Sequence, residues 1–63
     1  MKMHKSLTED RIIEAIESGE YVGFCIACGA DADCVEPDAC EYECEECGHS
    51  SVFGAEELMF YLA

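Results

Sequence analysis

A chain of 63 residues has room for one domain and buries too little surface to be secure without a staple such as a metal, disulfides or a partner. Fifteen Asp and Glu stand against three Lys and Arg, a formal charge of −12, and all three cations (Lys2, Lys5 and Arg11) fall in the first eleven residues. Nucleic-acid binding needs a basic face for the phosphates, so this composition argues against direct contact with DNA or RNA; it suits either a self-repelling soluble surface or one built to meet a basic protein partner.

Residues Met1 to Ser6 carry no apolar signal-peptide core, and no apolar run reaches membrane-spanning length, so a reducing cytoplasmic setting is expected. His4 falls in a terminus expected to fray and carries no argument. A helix follows over about 8–18. Thr8 is its expected N-cap, with Glu9 and Asp10 in the first turn, where the helix dipole favours acids. Leu7 and Ile12 occupy the positions of a hydrophobic staple, and Ser6 with Glu9 offers a rival capping box. Ile12, Ile13 and Ile16 share one face, Glu14 and Glu17 lie outside it, and Gly19 is placed to end the helix.

Glu20 to Phe24, with Tyr21, Val22 and Phe24, reads as a short strand leading into Cys25-Ile26-Ala27-Cys28-Gly29. Ala30 to Cys40 is polar and acidic, with Val35-Glu36-Pro37-Asp38 as its turn. Glu41 to Cys44 returns as a strand with Tyr42 toward the core, and enters Cys44-Glu45-Glu46-Cys47-Gly48. Fifteen residues separate Cys28 from Cys44, within the range for paired C-x-x-C zinc sites. Two cysteines three apart on a tight turn place both sulfurs at neighbouring corners of a tetrahedron, and the second turn supplies the other two. Four thiolates at about 2.3 Å make a closed Zn²⁺ shell with no open position for water or substrate. The glycine after each second cysteine lets the chain fold back with backbone N–H groups toward sulfur. A six-cysteine disulfide framework is the competing reading, disfavoured in a reducing compartment.

Ser51-Val52-Phe53 reads as a third short strand. Gly54-Ala55-Glu56-Glu57 opens a final helix over about 55–62, whose residues Leu58-Met59-Phe60-Tyr61-Leu62-Ala63 are uncharged and mostly apolar on every side. Leu58, Tyr61 and Leu62 are expected to pack on Ile12, Ile13 and Ile16. That turns Met59 and Phe60 outward as a candidate docking patch. Cys34 and Cys40 flank the Pro37 turn and read as small buried hydrophobes, with a bridge or a variant metal site as alternatives. His49 is an alternative ligand where four better-spaced thiols already exist.

The fold expected is a small metal-stabilised α+β domain over 1–63: a zinc ribbon over about 20–53, built of short antiparallel β-hairpins carrying two zinc knuckles, between an N-terminal and a C-terminal helix. The run Gly23 to Gly29, then Val35-Glu36-Pro37-Asp38-Ala39, Tyr42 to Gly48 and Gly54-Ala55-Glu56-Glu57-Leu58, resembles a group of small uncharacterised zinc-ribbon proteins of bacteria and their phages, over roughly residues 20 to 60. The resemblance implies a zinc ribbon of prophage-like origin and no activity. Cys40 departs from it, since a basic residue often stands there in that group. The knuckles also resemble those of rubredoxin, where four thiolates hold iron, but lack its usual proline within the C-x-x-C and its aromatic residue after the glycine. No catalytic constellation is visible. Three functions are carried forward: a structural zinc-binding, acidic protein-interaction module, monomeric and without catalysis; an anionic nucleic-acid mimic of phage type that inhibits a host nucleic-acid-binding enzyme or defence complex; and a rubredoxin-like redox protein.

Overall fold

A computed structural model describes residues 3–62, with Leu62 described by its backbone alone. The chain runs α1 (Glu9–Glu17), β1 (Val22–Cys25), β2 (Asp31–Asp33), β3 (Tyr42–Glu43), β4 (Ser50–Gly54) and α2 (Ala55–Leu62). The four strands form one antiparallel sheet in the order β2-β1-β4-β3. It is a small α+β fold with two helices and a curled sheet.

Thr8 caps α1 through its side-chain oxygen, which accepts from the backbone N–H of Arg11 at 3.2 Å. The rival Ser6 cap does not form; Ser6 instead accepts from the Arg11 guanidinium through its carbonyl and hydroxyl oxygens. That guanidinium also lies 4.8 Å from the centre of the Phe24 ring, so this cation is engaged in holding the helix to the sheet. The segment before α1 is not frayed. His4 N–H donates to the Ile26 carbonyl at 2.8 Å, Nδ1 of its ring accepts from Ser6 N–H, and a side chain at Gly29 would overlap Ser6 Oγ. The N-terminal segment is therefore pinned to the first cysteine turn.

Strand alternation divides the interior in two. Phe24 and Phe53 are register partners and face the helices, where they join Leu7, Ile12, Ala55 and Leu58. Cys25 and Val52, the next pair along, face the other way and join Val35, Ala39 and Cys44. The segment between β2 and β3 crosses that second face over a pair of glycines in register, Gly23 and Gly54. A Cβ at Gly23 would meet Val35, and one at Gly54 would overlap the carbonyl oxygens of Glu36 and Pro37. Closeness is used: Gly54 N–H donates to Ala39 O, and Glu57 N–H in the first turn of α2 donates to Pro37 O, both at 3.0 Å. With no residue between β4 and α2 to act as a side-chain cap, the loop carbonyl satisfies one of the helix's orphan donors.

Several expectations are corrected here. Asp31–Asp33 is a strand although its acids and alanine give no apolar alternation; it is held by backbone pairing to β1. Tyr21 precedes β1 and is 63% exposed. Tyr42 does not enter the core but stays 43% exposed on the edge strand β3, its hydroxyl donating to the Glu36 carboxylate. Cys34 and Cys40 are both exposed rather than buried. On α2, Leu58 is fully buried, but Met59 is half-buried against the core instead of turned outward, and Tyr61 is half exposed beside Phe53 rather than packed on α1. Phe60, 78% exposed, is the residue that points away. The expected packing of the Leu62 side chain lies outside the described residues.

Candidate metal centre

Each C-x-x-C-G turn is the tip of a β-hairpin, the first joining β1 to β2 and the second joining β3 to β4. Because β1 and β4 are antiparallel neighbours, the end of β1 lies beside the start of β4, and both tips fall at the same end of the sheet. The bond from Ile26 N–H to Ser51 O, 2.9 Å, continues that ladder past the strand end and fixes the tips against each other.

The two turns are built alike. Cys25 N–H donates to Ala30 O and Gly29 N–H to Cys25 O; Cys44 N–H donates to His49 O and Gly48 N–H to Cys44 O; all four bonds are 2.8 Å. Gly29 and Gly48 sit at φ of 81° and 79°, the left-handed conformation that costs glycine little. Past them the backbone N–H of Ala30 points at the Cys28 sulfur and that of His49 at the Cys47 sulfur, while Cys28 N–H reaches the Cys25 sulfur at 3.4 Å. His49 thus contributes a backbone donor, and its side chain is exposed.

The sulfurs of Cys25, Cys28, Cys44 and Cys47 all lie within 4.8 Å of one another. The Cys25–Cys47 separation is 3.6 Å and the Cys28–Cys44 separation 3.7 Å. A tetrahedron with metal–sulfur bonds of about 2.3 Å has an edge of about 3.8 Å, so these two spacings suit a single ion at the centre. Cys25 and Cys44 are buried, Cys28 is half-buried and Cys47 is exposed.

Electrostatics explain why such a cluster calls for a cation. Burial pushes the Cys25 thiol up, but the Ser51 hydroxyl, the N–H groups of Cys28 and Ala27 and the Cys28 side chain outweigh it and bring it down to about 6. Cys28 moves the other way, to about 12: the Ala30 N–H lowers it, but burial and the sulfurs of Cys25, Cys44 and Cys47 together raise it. Cys47 is also raised: the His49 N–H and Cys28 pull it down, but burial and the sulfurs of Cys25 and Cys44 outweigh them. Each thiolate opposes the next, and a cation among the four sulfurs would relieve that opposition.

Ser51, 3.0 Å from the Cys25 sulfur through its hydroxyl, is the site residue that motif spacing does not reveal. Its place at the start of β4, opposite the first turn, is set by pairing between strands far apart in sequence. Cys34 and Cys40 are not among the four clustered sulfurs. Cys34 has a positive φ of 59°. The Cys40 thiol is raised by burial and by the carboxylates of Glu57, Glu41 and Asp38. Comparison with known protein families, curated proteins and solved structures finds no match to this chain. Among the described residues no helix is long and apolar enough to cross a membrane.

Proposed function

We propose that Cys25, Cys28, Cys44 and Cys47 hold one Zn²⁺ as the structural centre of a zinc ribbon, and that the ribbon serves as an acidic, non-catalytic module that binds a protein partner. The observation that carries the reading is the set of four sulfurs within 4.8 Å of one another, two pairs of them at 3.6 and 3.7 Å. Four protein ligands complete a zinc shell and leave no position for a reacting water, as structural rather than catalytic sites do. The chain's formal charge of −12 favours a basic protein as partner over a nucleic acid. The exposed apolar anchor from the C-terminal helix is Phe60, with Tyr61 beside it, rather than Met59. A cytoplasmic monomer is the form proposed.

The metal is tested by native mass spectrometry and elemental analysis of protein purified without added metal. One zinc per chain, with loss of near-native circular dichroism when a chelator removes it, is the expected result. A red, iron-bearing protein that cycles reversibly between two redox states would replace the reading with an electron carrier. The partner is tested by affinity capture with the zinc-loaded protein at low and high salt, where charge-driven docking weakens and apolar docking persists.

A further inference from the structure

Both helices pack on the Phe24 and Phe53 side of the sheet. The opposite side, on which Cys25 and Val52 lie, is covered in part by the segment from Val35 to Ala39. What stays open there is a groove of about 400 Å³ lined by residues 30–35 on one side and 42–46 on the other, with Val52 at its base. Its two walls carry the two edge strands, β2 and β3, since the sheet order is β2-β1-β4-β3. The curl of the sheet thus brings its two free edges to the same groove.

Chemistry differs between base and rim. Ala32, only partly buried, is the apolar surface open to the groove, with Val35 and Val52 already buried beneath it. Asp31 and Asp33 stand along the β2 edge on the Phe24 side of that strand, Glu43, Glu45 and Glu46 line the opposite wall, all are exposed, and among the described residues no Lys or Arg lines the groove. Edge strands offer unpaired backbone donors and acceptors, which natural proteins guard with charge or cover with a partner strand. Here the guard is of one sign on both edges. It repels a second copy of this chain, and equally any nucleic acid, while it attracts an extended segment of opposite charge.

We propose that this groove is a docking site for an extended, lysine- or arginine-bearing peptide segment of a partner protein, which adds a strand to an edge of the sheet, lays alternate apolar side chains over Ala32 and sets the intervening cations against the acids along β2 and on the opposite wall. Strand addition of this kind draws affinity from the main chain and selectivity from alternate side chains. The proposal rests on the protein-interaction reading above and names the surface and partner chemistry for it. The metal centre adjoins the groove, because Cys44 belongs to both, so a zinc bound there would anchor the wall that follows β3.

The test uses the zinc-loaded full chain and a fluorescent peptide of alternating Lys and Val, with its Glu and Val counterpart and a Lys and Gly peptide as controls. Expected are saturable binding of the Lys and Val peptide that weakens with salt, no binding of the acidic peptide, and backbone amide shifts in NMR spectra concentrated at 31–33 and 42–46. The combined substitution Asp31→Asn, Asp33→Asn and Glu43→Gln should keep one zinc per chain and weaken binding at least about tenfold. If that variant does not fold, the single change Glu43→Lys and the wild-type amide shifts decide instead. Equal binding of the Lys and Gly peptide, or shifts confined to α2 around Phe60, would overturn the groove while leaving the interaction module standing. A zinc-loaded protein that captures no protein partner at low salt would overturn the module itself.

Discussion

Ser51 shows how much a single hydroxyl can matter to a cluster of thiols. Its oxygen lies against the buried Cys25 sulfur, and donors around a ligand atom tune metal affinity almost as strongly as the ligands do. Ser51→Ala should lower zinc affinity roughly tenfold without changing stoichiometry, measured by competition with a chromogenic chelator; unchanged affinity would mean the hydroxyl donates elsewhere. Any of the four clustered cysteines changed to Ser should leave an unfolded or molten chain, since metal binding in so small a domain is folding energy on the order of 10 kcal/mol. Cys34→Ser and Cys40→Ser, by contrast, should each retain one zinc, read by elemental analysis, because neither sulfur joins the cluster. At Tyr42 the sign of a pH effect follows from its bond to Glu36. The Tyr42 hydroxyl holds the Glu36 carboxyl below its ordinary value, and Glu36 in turn raises the phenol. The carboxylate side of this bond contributes above the ordinary carboxylate range and is lost as pH falls through the lowered value. The phenol side contributes below the ordinary tyrosine range and is lost as pH rises through the raised one. Tyr42→Phe should therefore lower the melting temperature of the zinc-loaded protein by the same amount across the neutral range, from about pH 6 to about pH 8, since both titrations lie outside that window; a difference that changes within it would mean the bond is not the cause.

At the scale of elements, the loop over the glycine pair is the least forgiving contact in the fold. Gly54→Ala puts a methyl group into the backbone carbonyls of Glu36 and Pro37, and backbone cannot swing aside as a side chain does. A loss of about 1–3 kcal/mol is expected by denaturant unfolding of the zinc-loaded protein; a neutral result would show the loop able to lift away. The two outer faces of α2 should respond differently. Phe60→Asp changes an exposed position and should stay within about 0.5 kcal/mol of wild type. Met59→Asp puts a charge where a half-buried side chain meets the core and should cost clearly more. Equal effects would mean that Met59 is not held as the packing indicates.

For the whole molecule, charge sets the response to solvent. Thirteen acids follow Ile12 with no Lys or Arg among them, so added salt at neutral pH should raise the melting temperature by screening repulsion. Acid acts in two directions. Protonating carboxylates relieves repulsion, while protons compete with zinc for sulfur. Stability should gain slightly down to about pH 6 and then fail sharply as zinc leaves. Following zinc release and unfolding together checks this, and unfolding that precedes zinc release would break the link. The same charge favours a monomer at micromolar concentration, since two copies repel unless a large apolar face joins them; a stable dimer in sedimentation would assign Phe60 and Tyr61 to a self-interface.

The four cysteines, the two helices and three of the strand positions were legible in the chain because they depend on local rules. Spacing within C-x-x-C-G dictates a turn, Thr8 before two acids dictates a helix start, and Ile12 and Leu58 are buried as their helical faces require. Asp31–Asp33 could not be recognised, because its strand exists only through pairing with β1. The exposure of Tyr42 depends on β3 lying at the edge of the sheet, and that of Cys34 and Cys40 on a loop whose apolar residues, Val35 and Ala39, cover the sheet. Ser51 reaches Cys25, and His4 reaches the first turn, across twenty or more residues of sequence. Local chemistry thus determined which residues could bind a metal and where the helices fall, while the faces that Met59, Tyr61 and Tyr42 present were set by tertiary packing. The antiparallel pairing of β1 with β4 decided that both cysteine turns meet at one end and that an acidic groove opens between the sheet's two edges, because only long-range backbone pairing sets which hairpin lies beside which.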